Sequence, residues 1–321
     1  MKTRITELLG IRYPILQGGL AHLAYSDLAA AVSNAGGLGQ ITAMSLESPE
    51  QLKQEIDKVR RLTSNPFGVN FAIGMGRRPY EDFLQVAIDE DAPVISITGG
   101  NPTPIIERVV KTKIKSLVLV SSVRQAQKAE EQGASAVIAV GFEGGGHLGR
   151  DDVSTMALIP RIVDSVQIPV IASGGIGDAR GFTAALALGA EGIEMGTRFI
   201  ATKECMAHPA YKQALINLSE KDTVIIKRSL GQPGRAIKNK VTEYILSLEN
   251  NGATFEELKP YISSVSNLRA IYEGEYEEAY SWAGQAIGLI DDIPSCEELL
   301  TRIIEGSQQV RSRLNRIYPG N

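Results

Sequence analysis

The chain is short of the residues that usually announce a site. Of 321 residues, two are cysteine and three are histidine. Cys205 and Cys296 stand far apart with no metal-ligand spacing between them. They read as reduced thiols, and no metal site is expected. No apolar run approaches the length of a membrane span. The opening MKTRITELLG lacks the apolar core of a secretory signal. An excess of one charge is missing too: 33 Lys and Arg against 37 Asp and Glu leave a formal net charge of −4. That balance argues against non-specific binding to nucleic acid or to an anionic membrane. There is no low-complexity tract. What remains is 43% hydrophobic and 22% charged, an ordinary globular composition long enough to bury a large core. A soluble cytoplasmic protein with a small-molecule partner is expected, and a homodimer is compatible with this composition.

Short apolar runs alternate with helix-period segments through the first two-thirds. Expected strands are Pro14–Gln17, Gly39–Thr42, Phe67–Phe71, Val94–Ile97, Ser116–Val120, Ala136–Val140, Ile168–Ala172 and Gly192–Met195. Expected helices between them are Tyr25–Ala35, Pro49–Leu62, Tyr80–Asp89, Pro104–Lys111, Val123–Gln132, Thr155–Ser165 and Ala179–Leu188. Eight βα units predict an α/β fold, a closed (β/α)₈ TIM barrel over 1–203. A doubly wound sheet would need a reversal of strand order that sequence does not reveal. From 204 to 321 the pattern turns mostly helical, broken at Gly231–Gly234 and Asn250–Gly252. This C-terminal extra region is expected to cover the barrel mouth. Its last helix, Ser295–Leu314, starts with a capping serine followed by Glu297 and Glu298.

The most telling stretch is IPVIASGGIGDARGFTAALALGAEGIEMGTRF, Ile168 to Phe199. Gly174 and Gly175 end the seventh expected strand; Gly196 and Thr197 end the eighth. Bare backbone N–H groups at one end of two successive strands are a common barrel device for holding phosphate. In FEGGGHLG, His147 follows the sixth strand on the same rim, where an imidazole can exchange a proton with a bound substrate. The competing explanation is a histidine satisfied by backbone carbonyls in a tight loop. His22 is expected to line the pocket and His208, before Pro209, to be a capping or packing residue. In QGGL, Gly18 and Gly19 let a planar ring approach the backbone. Asn70 offers a carboxamide to the polar edge of a heterocycle, and Gly99–Pro102 closes the fourth strand in like manner. Gly36–Gly39 precedes a strand, opposite to a Rossmann turn, and reads as a helix C-cap. Gly144–Gly146 lacks the Lys-Ser/Thr of a P-loop. Arg77, Arg78, Lys111, Lys113 and Lys115 read as solvated surface. The position of Arg235 and Lys238 is left open. With Glu143 and Asp178 as the acids near strand ends, the rim is poor in chemistry of its own, which suits a cofactor that brings reactivity with it.

In order, QGGL, AGGLG, PFGVN, GGNP, FEGGGHLG, ASGGIGD, MGTRF and the late WAGQAIGLIDD form a series that resembles the FMN-dependent nitronate monooxygenase (2-nitropropane dioxygenase) family. ATKECMAHP and GLIDDIPSCEELL are similar to its NADH:quinone reductase branch. The resemblance implies FMN in the mouth of a (β/α)₈ barrel. It places Gly18, Gly19 and Leu20 by the flavin and Asn70 near its ring. It puts Gly146 against FMN beside a catalytic His147, and gives the phosphate to Gly174, Gly175, Gly196 and Thr197. Some relatives carry a lysine near the flavin at the end of strand five, where this chain has Leu119. The implied activities are oxidation of alkyl nitronates with O₂, NAD(P)H-linked reduction of a quinone, or flavin-type enoyl-acyl-carrier-protein reduction.

Overall fold

The computed structural model describes residues 1–74 and 78–318. Among them are eleven strands: β1 Ile15–Gln17, β2 Gly39–Thr42, β3 Phe67–Ala72, β4 Val94–Thr98, β5 Lys115–Val120, β6 Ala136–Val140, β7 Gly146–His147, β8 Val170–Ser173, β9 Gly192–Met195, β10 Thr223–Ile226 and β11 Gly234–Ile237. Eight pair in parallel in the order β1-β9-β8-β6-β5-β4-β3-β2. The ends of that row meet through a parallel bridge between Leu16 and Leu38. Two buried glutamines complete the seam: Gln40 N donates to Gln17 Oε1 at 2.9 Å, and Gln40 Nε2 donates to Gln17 O at 2.8 Å. The expected TIM barrel is therefore present.

Side chains alternate along each strand, which sorts the barrel into layers. Inside and low lie Leu16, Leu38, Val94, Leu117, Ile138 and Ile171, in one cluster with Ile5 and Leu9 of the helix Arg4–Leu9. That helix plugs the bottom. One step higher, the same inward rows carry Gln40, Asn70, Ser96, Ser173 and Glu194, all buried. Apolar residues on the other face, such as Ile41, Val69, Ile95, Val137 and Ile193, pack with the surrounding helices into the large outer core. Each such side chain stabilises the fold by about 1.5–3 kcal/mol relative to exposure.

The region after the barrel is mostly helical, as expected, but it also holds two strands. Two strands, β10 and β11, form an antiparallel hairpin, and β11 also pairs with β7. The punctuation at Gly231–Gly234 is the turn of this hairpin. At four residues each, with Val224 and Ile225 only half-buried, these strands show little of the apolar pattern that marks a strand in sequence. The last helix, Cys296–Ile317, opens on the expected cap: Glu298 N donates to Ser295 Oγ and Ser295 N donates to Glu298 Oε2. Its buried Leu299, Leu300 and Ile303 belong to the outer core. A Cβ on Gly306 would lie 2.6 Å from Ala179 Cβ, so that glycine permits the close crossing with helix Ala179–Ala187.

Close approach also fixes Gly39. A Cβ there would overlap the Ala29 carbonyl of helix Ser26–Asn34. Gly39→Ala should destabilise the protein by about 3 kcal/mol, the upper part of the overpacking range. Urea unfolding of the two proteins checks this; equal midpoints would mean that helix and strand separate freely.

Candidate active site

One pocket opens at the C-terminal ends of the barrel strands, and it collects most of the expected site residues: Gly18, Gly19, Leu20, Asn70, Gly146, His147, Gly174, Gly175, Gly196 and Thr197 all line it. The glycine turns hold backbone conformations that a side chain would strain. Gly174 and Gly175 have φ of 96° and 73°, in the left-handed region. A Cβ on Gly174 would also lie 2.9 Å from Gly141 O. Among the described residues, no protein acceptor takes the N–H of Gly174, Gly175 or Gly196. Such open donors on one rim can hold an anion.

Across the pocket, Asn70 Nδ2 lies 2.9 Å from Ser96 Oγ and 3.0 Å from Thr98 Oγ1. Those hydroxyls occupy the carboxamide's donor side and turn its oxygen toward Gly19, where a Cβ would overlap it. Asn70 can therefore accept from a ring N–H that approaches over bare glycine. The β1 turn is pinned by Leu20 N donating to Thr42 Oγ1 at 3.1 Å.

His147 is not in a free loop. It is half of β7, opposite Gly234 in the hairpin's sheet. Its ring lies 5.3 Å from Trp282, and its Nε2 is 2.9 Å from Lys227 Nζ. With Lys227 protonated, its ammonium can only donate; Nε2 then accepts, and a neutral ring carries its proton on Nδ1. Lys227 is itself buried, has φ 64°, and stands 4.8 Å over the Trp282 ring. Its backbone N–H donates to Glu249 Oε2 at 2.8 Å. Neither Lys227 nor Trp282 could be picked out by residue type alone, because the missed hairpin is what delivers Lys227.

The segment around Trp282 closes the outer wall. Gly284 N donates to Thr197 Oγ1 at 2.9 Å and Gln285 N to Glu143 O at 2.9 Å. Gly145 and Gly284 allow this contact: a Cβ on either would lie within 2.8 Å of the other strand's backbone. Farther around, the Tyr272 hydroxyl bonds the His22 carbonyl, tying the extra region to the β1 turn.

Several expectations are corrected. His22 does not line the pocket, although Ala21 and Leu23 do; its φ of 63° belongs to a turn. Of the strand-four end, Thr98 reaches the pocket, while Gly99 and Gly100 pack on the backbone at Ile73–Gly74. Glu143 is engaged by Thr155 N and Oγ1, both at 2.9 Å. Asp178 caps helix Ala179–Ala187, and the Arg180 guanidinium with two backbone N–H groups holds its carboxyl below the usual range against its burial. Arg235 is buried against Phe142 O and Thr223 Oγ1, and Lys238 is exposed beside Glu243. His208 caps its helix by accepting from Ala210 N, as expected. Arg78 is exposed, as expected, and donates to the Glu47 and Leu46 carbonyls; Arg77 lies outside the described residues. The rim is also less bare of chemistry than expected, because Glu194 lines the pocket and is buried, and burial pushes its carboxyl up to about 7. Its position inside a strand, not at a strand end, hid it.

Comparison with known proteins agrees over nearly the whole chain. A family profile described as nitronate monooxygenase matches residues 2–78 and 71–306. A probable nitronate monooxygenase from Staphylococcus aureus (strain JH9) is 35% identical, over 96% of this chain and 98% of the relative. The structure of FabK from Thermotoga maritima is similar with a TM-score of 0.92 at 39% identity, covering 99% of both chains. That of nitroalkane oxidase from Streptomyces ansochromogenes has a TM-score of 0.84 at 28% identity, covering 97% of this chain and 100% of the other.

The outer wall is testable without any ligand. Thr197→Val keeps the shape but leaves the buried Gly284 N–H unpaired, at a cost of about 1–3 kcal/mol. Trp282 is the sole tryptophan, so its quenching by acrylamide should rise as the segment loosens. Unchanged quenching and unchanged stability would show that Thr197 does not hold the wall.

Proposed function

The chain belongs to the nitronate monooxygenase family, and from that premise we propose that it is an FMN-dependent oxidoreductase that oxidises alkyl nitronates with O₂. It is an oxidoreductase of small molecules. The residues present fit FMN. The open N–H groups of Gly174, Gly175 and Gly196 suit its phosphate, with Thr197 beside them. The bare Cα atoms of Gly18 and Gly19 leave space for a ring, next to Leu20 and Gly146. The Asn70 oxygen suits a ring N–H. When bound, FMN supplies the electron chemistry, and the protein supplies placement and electrostatics.

The observation that carries the nitronate reading is the Lys227 ammonium at His147 Nε2. It puts a positive charge beside the pocket's histidine, where an anionic substrate gains most from it. His147 then orients that substrate by donating from its Nδ1–H, or takes the proton of a neutral nitroalkane at Nε2 once Lys227 yields that nitrogen. Trp282 shields the pair from water on one side.

A second reading, NAD(P)H-linked reduction of an enoyl group on an acyl carrier, is favoured by the 39% identity to FabK. An oxygen that gains charge during such a reduction would be stabilised by the same lysine. Anaerobic mixing separates the two. On the first reading a nitronate bleaches the flavin and NADH or NADPH does not. Bleaching by NADH or NADPH alone would overturn it in favour of reductase chemistry.

Two substitutions test the site. His147→Ala should retain FMN and lower turnover by about a hundredfold, the usual scale of lost acid–base help; unchanged turnover would remove His147 from the reaction. Gly175→Glu should expel the cofactor by bulk and charge, and full flavin occupancy would contradict the phosphate cradle.

A further inference from the structure

Glu194 is a buried acid that the reaction above does not use. It sits at the centre of β9, opposite Leu16 of β1 and Ser173 of β8, and it is 7% exposed. Ser173 Oγ lies 3.2 Å from its Oε2. Its Oε1 lies 3.4 Å from the place a Cβ of Gly18 would occupy. No side chain from that glycine separates the carboxyl from the pocket, which it lines. The inward neighbours in its layer are Gln40, Asn70, Ser96 and Ser173, all uncharged. The other ionisable groups lining the pocket have their own partners. Glu143 is held by Thr155, His147 faces Lys227 at the rim, and the Tyr211 hydroxyl donates to Trp282 O at 2.6 Å. Among the described residues that line the pocket, no cation is therefore in place to compensate an ionised Glu194.

We propose that Glu194 is a cofactor-facing acid that links flavin binding to one proton: neutral, it donates a hydrogen bond from the pocket floor to an acceptor on the ring; ionised, it repels that acceptor. The proposal rests on the flavin reading above and adds a partner for the ring that the family motifs did not supply. Burial without a compensating cation favours the neutral acid, in line with the carboxyl being pushed up to about 7. The sign follows from that direction. The donating form is present below the raised value and is lost as pH rises through it, so affinity for the cofactor should fall toward alkaline pH.

The experiment measures binding of FMN, and of riboflavin as a phosphate-free probe, through quenching of their fluorescence by the flavin-stripped protein. For the natural chain, affinity for both should weaken about tenfold between about pH 6 and about pH 8. Glu194→Gln, which keeps the shape and a permanent donor, should show no such loss for riboflavin. Parallel curves for the two proteins, or a flat curve for the natural chain, would overturn the proposal. If neither probe binds the natural chain at any pH, the flavin reading itself has failed and the proposal falls with it. Infrared difference spectra of the natural chain at about pH 6 give a measurement independent of the variant's folding. FMN should shift a protonated-carboxyl band, and an unshifted spectrum counts against the assignment.

Discussion

The hydrogen bond from Gly284 N to Thr197 Oγ1 is the contact on which the site's outer half depends. Thr197 opens the short helix just after the eighth barrel strand, and Gly284 lies nearly ninety residues later. Joined there, the late segment brings Trp282 against Gly234 and the β7–β11–β10 sheet. That sheet in turn presents Lys227 to His147. The barrel by itself would hold the glycine turns and Asn70, but the histidine would have neither its ammonium partner nor its indole wall. The His147–Lys227 pair thus depends on a junction between two parts of the chain, and the placement of the inner glycine turns and Asn70 depends on the barrel alone.

That division follows from the barrel's inward rows. The lower layer is filled with aliphatic side chains and stoppered by Ile5 and Leu9, so no ligand can sink into it. The layer above is made of amides, hydroxyls and one acid, each bonded across strands, as buried polar groups must be. Bare glycines then top the first, seventh and eighth barrel strands. The result is a floor of fixed dipoles with open space directly over it, a surface that a flat heterocycle can cover without displacing any side chain.

Much of this was legible in the sequence, for identifiable reasons. Parallel barrel strands are buried on both faces, so each appears as a short apolar run. All eight are found within two residues of where they were expected, and their glycine ends give away the rim. The hairpin Thr223–Ile237 was not legible, because its strands are short, the middle of β10 is only half-buried, and its pairing with Gly146–His147 is long-range. Lys227 was hidden for the same reason, since its role comes from a left-handed turn at the end of β10. Glu194 was concealed differently. One charged residue inside an otherwise apolar strand carries no periodic signal, and only the packing of β9 between β1 and β8 shows that it faces the ligand space. The position of Arg235, left open by the sequence, is settled by its guanidinium, which serves Phe142 O and Thr223 Oγ1 and holds the hairpin to the β6 loop.

The position of the positive charge bears on how such a barrel is tuned. At the end of β5 this chain has Leu119, which lines the pocket as an apolar wall. Its cation arrives instead from the appended sheet, on the far side of His147. A lysine rooted in a barrel strand would be fixed by the core, whereas Lys227 is held by a hairpin whose own cluster, with Ile226, Ala236, Ile245, Leu258 and Tyr280, is separate from the barrel's. Holding the charge on the appendage leaves the described residues of the pocket floor without a cation. It also lets the electrostatics around His147 change with the packing of one small sheet, with no repacking of the barrel required.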